Sequence, residues 1–258
     1  LNFVNQAVDN NDKLTDFGFA NIPKGDKSDQ VKAIFNSVAN KYDLMNDLMS
    51  MGIHRLWKDF VVASSRVKAG NKVLDLAAGT GDLSKRFSRL VGEDGEVVMT
   101  DINAQMLAVG RDKMIDGGYS SNMQFLEVNA EQLPFADSSF DCVTIAFGLR
   151  NVTDKAKVLV EAERVLIPGG CMQILEFSKP VLPILQTLYD QFSFNIIPKL
   201  GQWIVSDATS YQYLVESIRR HPEQEPLRQM LVDAGFYLSY YCNLSGGIVA
   251  MHTGVKRF

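Results

Sequence analysis

Apolar residues recur along this chain with two periods, and the order of the periods predicts the architecture. From Asp29, Val31, Ile34, Phe35 and Val38 fall on one helical face that Ser28 or Asp29 can cap. Leu56, Phe60 and Val61 mark a second helical segment. The texture then changes. Val73, Leu74 and Leu76 form a short apolar run that ends in the turn Ala77-Ala78-Gly79-Thr80-Gly81, and Leu83, Phe87, Leu90 and Val91 follow at helical spacing. The alternation repeats: a strand over 97–99 ending at Asp101, a helix over 103–116, a strand over 123–128, a buried strand over 140–147 and a helix over about 154–166. Pro168-Gly169-Gly170 reads as a turn, and 171–177 as the next strand. Strands near 236–243 and 247–256 are joined by a hairpin turn at Ser245-Gly246-Gly247, which makes the final strand antiparallel.

Strands alternating with helices imply βαβ units, hence an α/β fold whose largely parallel sheet has helices on both faces. Residues 1–28 are polar, show no period and read as a loosely held arm; 29–258 read as one domain, with a helical cap over 29–70. Residues 178–222 interrupt the alternation as a helical insertion. Its apolar stripe runs through Val181, Ile184, Leu185, Leu188, Phe192 and Ile196, and continues through Phe194, Ile197, Leu200, Trp203, Ile204 and Val205. The stripe suits a cap helix or a lid over an apolar ligand. It lacks the Lys/Arg-rich face of a strong membrane anchor.

Composition narrows the function. With 46% hydrophobic and 22% charged residues, the chain can bury a sizeable core. A net charge of -4 offers nothing to nucleic acid. Three scattered cysteines and three scattered histidines predict neither a disulfide framework nor a metal site, and Cys142 and Cys171 read as core residues. No 18-residue apolar run predicts a membrane span. The N-terminus has no apolar signal core. The chain starts at Leu1 rather than Met, which leaves room for a removed leader.

The candidate chemistry sits where strands hand over to helices, because open α/β sheets bind ligands beyond the carboxyl ends of their strands. Asp101 ends the strand after the Gly-rich turn, where a carboxylate can accept both hydrogen bonds of a ribose diol. Asn129-Ala130-Glu131 ends the third strand and Ala146-Phe147 the fourth. A dinucleotide fingerprint wants a third small residue where Ser84 stands. Asp75 and Asp82 flank the turn with negative charge, which suits a cationic ligand better than a pyrophosphate. S-adenosylmethionine, with its sulfonium and ammonium groups, fits that reading. For Asp101 the competing reading is an N-cap on the helix over 103–116.

Several stretches resemble the ubiquinone/menaquinone biosynthesis C-methyltransferases, which are class I S-adenosylmethionine enzymes. The most specific are Lys41-Tyr42-Asp43-Leu44-Met45-Asn46-Asp47 with Gly52-Ile53-His54-Arg55-Leu56-Trp57-Lys58, and Phe147-Gly148-Leu149-Arg150-Asn151-Val152. Further matches are Leu175-Glu176-Phe177-Ser178-Lys179-Pro180, Ser210-Tyr211-Gln212-Tyr213-Leu214 with Glu216-Ser217-Ile218, and Gly246-Gly247-Ile248-Val249-Ala250. The resemblance runs from about Phe17 to Lys256. It implies a Rossmann-like class I methyltransferase fold: a mostly parallel seven-stranded sheet with an antiparallel final strand, N-terminal helices and a helical lid insertion. The family's cofactor contacts fall on Thr80, Asp101, Asn129 and Ala130, and the strand ends add Asp75, Gly79, Gly81, Ile102 and Met106. Bacterial members place a Ser where this chain has Ala146, so only backbone can serve there. Many members have Gly where this chain has Ala78, a minor departure if its φ is negative.

The implied cofactor is S-adenosylmethionine without a metal. The implied substrate is a reduced polyprenyl benzoquinol or a demethylmenaquinol, methylated on a ring carbon. A ring carbon becomes nucleophilic when a phenolic proton leaves, and a phenol pKa near ~10 leaves little phenolate at neutral pH. Arg150 and Asn151 are the catalytic candidates: Arg150 to lower the phenolate's energy or orient a water, Asn151 to hydrogen-bond a quinol oxygen. The competing readings are an i, i+4 salt bridge from Arg150 to Asp154 and a helix cap by Asn151. Tyr42, Asn46, His54, Tyr211 and Tyr213 are candidate walls of the quinol pocket. A transient or peripheral membrane contact, and a homodimer or quinone-biosynthesis complex, are further expectations. So is a place in the bacterial cytoplasm, at the inner membrane, or on the matrix side of the mitochondrial inner membrane after leader removal. The alternatives are an O- or N-methyltransferase of the same fold and a non-catalytic scaffold.

Overall fold

A computed structural model of the chain describes residues 14–38, 44, 46, 47, 50–181, 186 and 208–258. Strand β1 (Leu14–Phe17) turns directly into β2 (Ala20–Pro23). The turn depends on Gly18, at φ +56°, where an added Cβ would meet the Glu216 side chain. Helix α1 (Lys24–Val38) follows without a gap. The stretch expected as a loose arm therefore holds a hairpin and the first turn of a helix. Ser28 and Asp29 lie inside that helix rather than capping it.

After α2 (His54–Ser64) come β3 (Lys72–Leu76), α3 (Asp82–Val91), β4 (Glu96–Asp101), α4 (Ala104–Asp116) and β5 (Met123–Glu127). Then follow β6 (Phe140–Ala146), α5 (Lys155–Val165) and β7 (Leu166–Phe177). The chain closes with α6 (Ala208–Arg220), α7 (Gln224–Asp233), β8 (Leu238–Leu244) and β9 (Val249–Val255). The seven-stranded sheet has the order β5-β4-β3-β6-β7-β9-β8. β3 to β7 are parallel; β9 runs antiparallel to both β7 and β8. From β3 the chain builds outward through β4 and β5, then crosses back to β6, so the switch point lies between β3 and β6.

Both sheet faces are covered, as a parallel sheet requires. Along β3, Val73 joins Trp57 and Val61 of α2, Phe87 and Val91 of α3 and Leu214 and Ile218 of α6. Its neighbours Leu74 and Leu76 point the other way, onto Val158, Leu159 and Ala162 of α5 and Leu227 and Leu231 of α7. This two-residue alternation is what the apolar runs encode. Cys142 and Cys171 are buried in register on β6 and β7 with Sγ atoms 3.8 Å apart.

Pro168-Gly169-Gly170 does not separate a helix from a strand as expected. β7 pairs at Leu166 with Phe140 and next at Cys171 with Cys142, so the intervening residues bulge out of the β6 ladder. They find other partners: the Gly169 amide donates to the Lys256 carbonyl, and the Lys256 amide to the Gly170 carbonyl. Most of the insertion expected over 178–222 lies outside the described residues, apart from its start, Gln186 and α6. Among the described residues no helix is long and apolar enough to cross a membrane.

Three buried groups outside the cavity pull stability in opposite directions as pH changes. Burial holds the His252 imidazole at about 4 and the His221 imidazole well below its ordinary value. Burial pushes the Asp75 carboxyl up to about 6. Below about pH 6.5 the unfolded chain takes up histidine protons that the folded chain refuses, so both histidines remove stability as pH falls. Asp75 acts oppositely, because between its unfolded 3.8 and about 6 the folded chain holds the extra proton. The balance of these three is a loss of roughly 1.4 kcal/mol per pH unit from pH 6 to 4, with the lowered His54 adding to it and the raised Asp101 opposing it. Asp75→Asn should about double that slope. Urea unfolding at stepped pH reads both, and a flat profile in the wild type would refute this balance.

Candidate active site

Five elements bring their ends to one cavity of about 430 Å³ at the carboxyl edge of the sheet. Ala77 and Gly79 come from the turn after β3, Asp101 and Ile102 from the end of β4, and Met106 from α4. Val128, Asn129, Ala130 and Glu131 follow β5, and Phe147, Gly148, Asn151 and Val152 follow β6. The roof is α1, through Ser28, Val31, Lys32 and Phe35. The two turns that flank the switch point meet closely: a Cβ on Gly148 would lie 2.7 Å from that of Ala77. Ala77 and Phe147 both hold left-handed backbone, at φ +49° and +57°, unusual for residues with side chains. Such conformations cost about 1–3 kcal/mol each and concentrate at functional sites. Ala78 is not among the positive-φ residues, so its methyl is accommodated.

Asp101 is the best-supported group. Its Oδ2 accepts from the Gly79 amide at 2.9 Å and its Oδ1 from the Asn103 amide at 2.8 Å. The carboxylate lines the cavity and has lone pairs beyond these two bonds, the acceptors a vicinal diol needs. Burial raises its pKa, opposed by the backbone donors. Asp101 does not cap the following helix. Asn103 does, accepting from the Gln105 and Met106 amides at 3.0 Å, while its Nδ2 donates to the Lys32 carbonyl and Asn36 Oδ1 and so ties down the roof. Ile102, Met106, Val128 and Ala130 add apolar walls for a flat heterocycle. Asn129 folds its own turn by accepting from the Glu131 amide, and Glu131 Oε1 accepts from the Thr153 and Asp154 amides. The residues present thus fit an adenosine-bearing cofactor.

The negative charge expected around the Gly-rich turn is not in the cavity. Asp75 is fully buried, accepting from Ser84 Oγ and from Thr144 Oγ1 at 2.8 Å. Ser84, the residue that breaks the dinucleotide pattern, thus holds the strand to α3. Asp82 pairs with Lys58 at 2.9 Å and with Arg86, which keep its carboxyl well below the usual range against the cost of burial. The carboxylates that do line the cavity are Asp101, Glu131 and Asp154, facing Lys24, Lys32 and Lys157. Thr80, Gly81 and Ala146 neighbour the cavity in sequence but do not line it.

The Phe147–Asn151 turn separates the two catalytic candidates. Arg150 is 3% exposed and turns inward: Nη1 donates to Glu176 Oε1 at 2.7 Å and to the Phe147 carbonyl, and its guanidinium lies 5.7 Å over the Phe177 ring. Glu176, 1% exposed, also accepts from the amides of Phe177 and Arg150. No salt bridge joins Arg150 to Asp154, which instead caps α5 by accepting from the Lys157 amide. Asn151 caps nothing. It lines the cavity, and its Oδ1 accepts from the Tyr213 hydroxyl at 3.1 Å. Tyr213 is buried behind Asn151 rather than facing the cavity. His54 is buried against Ser50 at 2.8 Å, its pKa lowered by burial and by Lys58, and it too lies outside the cavity. Asn46 offers its carbonyl to Ser50 Oγ. Tyr42 and the side chain of Tyr211 lie outside the described residues.

The model of the ubiE/COQ5 methyltransferase family matches residues 24–256. The chain belongs to this family. Among curated family relatives, the ubiquinone/menaquinone biosynthesis C-methyltransferase UbiE of Hahella chejuensis is 58% identical over 242 residues, covering 94% of this chain and 97% of its own. The protein of the same name from Proteus mirabilis is 58% identical over 244 residues, covering 95% and 97%. Solved structures reach the fold more distantly. A SAM-dependent methyltransferase from Aquifex aeolicus aligns with TM-score 0.60 at 19% identity, over 83% of this chain and 97% of its own. One from Thermotoga maritima aligns with TM-score 0.61 at 18% identity, over 87% and 99%. The ubiE/COQ5 chain therefore has the class I methyltransferase fold read from its sequence, with the final strand, β9, antiparallel to its neighbours. Sequence reading missed α1 as a wall of the site. Its stripe of Val31 and Phe35 was visible, but a stripe does not say what it covers.

Proposed function

We propose that this protein transfers a methyl group from S-adenosylmethionine to a ring carbon of a reduced polyprenyl quinol, in ubiquinone or menaquinone biosynthesis or both. The observation that carries the reading is Asn151, an uncharged amide lining the cavity that holds Asp101, in a chain 58% identical to curated C-methyltransferases. When bound, S-adenosylmethionine supplies an electrophilic methyl on a sulfonium. The protein's own residues do the rest. Asp101 receives the ribose diol, and Gly79, Ile102, Met106, Asn129 and Ala130 shape the slot beside it. Phe147 and Phe35 supply apolar walls that exclude water and suit an aromatic ring. Asn151 donates to the quinol oxygen as the phenolic proton passes to a water molecule, so negative charge builds opposite a fixed dipole. The ring carbon takes the methyl as the methyl's bond to sulfur breaks, the thioether leaves, and the ring C–H proton is lost to water. Methyl transfer then depends mainly on holding donor and acceptor in line.

Arg150 fits this scheme as a buried cation behind the turn, its guanidinium committed to Glu176. Its contribution to the quinol runs through the turn it anchors. One well-placed donor to a developing oxyanion is worth ~3–4 kcal/mol. Asn151→Ala should therefore lower turnover on a quinol by 10²–10³-fold while calorimetry finds cofactor affinity unchanged. If Asn151→Ala keeps wild-type turnover, the amide is not the phenolate donor.

A further inference from the structure

Asn151 presents a carbonyl oxygen and an NH₂ group, and only the NH₂ end can stabilise an anionic oxygen. Rotating the amide by half a turn would place a second acceptor against the phenolate. A donor role for Asn151 therefore needs a group that keeps the amide the right way round. We infer that Tyr213 is a positioning residue that sets the polarity of Asn151, occupying Oδ1 so that Nδ2 is left to donate to the quinol oxygen. This rests on the proposed role of Asn151.

The hydroxyl of Tyr213 donates to Asn151 Oδ1 at 3.1 Å across 62 residues of sequence. Tyr213 is 5% exposed, on α6, and its ring packs against Phe17 of β1 with centroids 4.5 Å apart. Both faces of that contact are locally braced. The β1–β2 turn is pinned to α6 where the Phe19 amide donates to Glu216 Oε2 at 3.0 Å. Thr15 Oγ1 of β1 donates to the Thr153 carbonyl, at 3.5 Å, just beyond the Asn151 turn. A flipped amide could donate Nδ2 to the phenol oxygen, but the buried O–H would then have no acceptor among the described residues, a cost that favours Oδ1 facing Tyr213. On its other side the turn is fixed by Arg150 and Glu176, and the Asn151 amide N–H donates to the Gly148 carbonyl at 3.0 Å. Backbone and side chain of Asn151 are thus held by separate devices, and among the described residues Tyr213 is the one that hydrogen-bonds the amide side chain.

The test is a double-mutant cycle read on methyl transfer to a reduced quinol analogue, with thermal midpoints and S-adenosylmethionine affinity measured on each variant. Tyr213→Phe keeps the buried ring and removes only the hydroxyl. Loss of one orienting hydrogen bond should lower kcat about tenfold, leaving cofactor affinity and midpoint near wild type. In the Asn151→Ala background the same substitution should change kcat less than twofold, because the group it orients is gone. Independently of activity, the Asn151 side-chain NH₂ resonances of ¹⁵N-labelled, ligand-free protein should shift, and their protons should exchange with solvent faster, in Tyr213→Phe. Unchanged kcat in Tyr213→Phe, or a tenfold loss that persists in the Asn151→Ala background, overturns the inference. If Asn151→Ala itself keeps wild-type turnover, it is the proposed catalytic role that fails. The NH₂ resonances then still decide whether Tyr213 orients the amide.

Discussion

Asp101→Ala is expected to weaken S-adenosylmethionine binding by 10²–10⁴-fold. The cavity wall loses two charge-assisted acceptors, each worth about 1.5–3 kcal/mol when a diol is bound. The loss should be specific. The Gly79 and Asn103 amides, which also lose their partner, sit beside the cavity, where water can replace the carboxylate. The thermal midpoint of the cofactor-free variant should therefore fall far less than its affinity. Asp101→Asn keeps one acceptor oxygen and should lie between the wild type and Asp101→Ala. Calorimetric titration reads the series directly. An Asp101→Ala variant that binds S-adenosylmethionine within fivefold of wild type would remove the carboxylate from the cofactor site.

The largest effect on stability is expected at Glu176, which is not among the residues lining the cavity. Glu176→Ala leaves the Arg150 guanidinium buried without its carboxylate, and breaking such a pair costs about 3–5 kcal/mol. For a chain of this size that is a fall in thermal midpoint of the order of 10 °C. Glu176→Gln retains an acceptor for Nη1 and should lose less. Because the same carboxylate holds the Arg150 and Phe177 amides, turnover should fall with stability, through a loosened Asn151. A midpoint within 2 °C of wild type in Glu176→Ala would show that the pair is not what anchors the turn.

The parts of the fold written in local patterns were readable. The apolar run at 73–76, the glycines after it and the helical spacing of Leu83, Phe87 and Val91 together specify a strand, a turn and a helix. Asp101 could be placed at a strand end by counting. What could not be read depends on partners distant in sequence. The charge on Asp82 looked available to a ligand because Lys58, 24 residues earlier, gives no sign in the sequence that it will pair there. Its other partner, Arg86, stands at i+4 and was legible. Arg150 looked like a catalytic cation because nothing near it in sequence announces Glu176. Pro168-Gly169-Gly170 reads locally as a turn, whereas in the fold it bulges from the β6 ladder and pairs with Lys256, 86 or more residues away. The β1–β2 hairpin is too short and too exposed to show a period.

The central claim is that this cavity carries out carbon methylation through a phenolate held by Asn151. It is tested most directly by incubating the protein with methyl-labelled S-adenosylmethionine and a reduced polyprenyl benzoquinol or demethylmenaquinol. Mass spectrometry and NMR then locate the label in the product. The account predicts a ring-carbon methyl, formed only from the reduced substrate and at a rate that falls 10²–10³-fold in Asn151→Ala. A methyl on oxygen, or transfer to the oxidised quinone at the same rate, would contradict it.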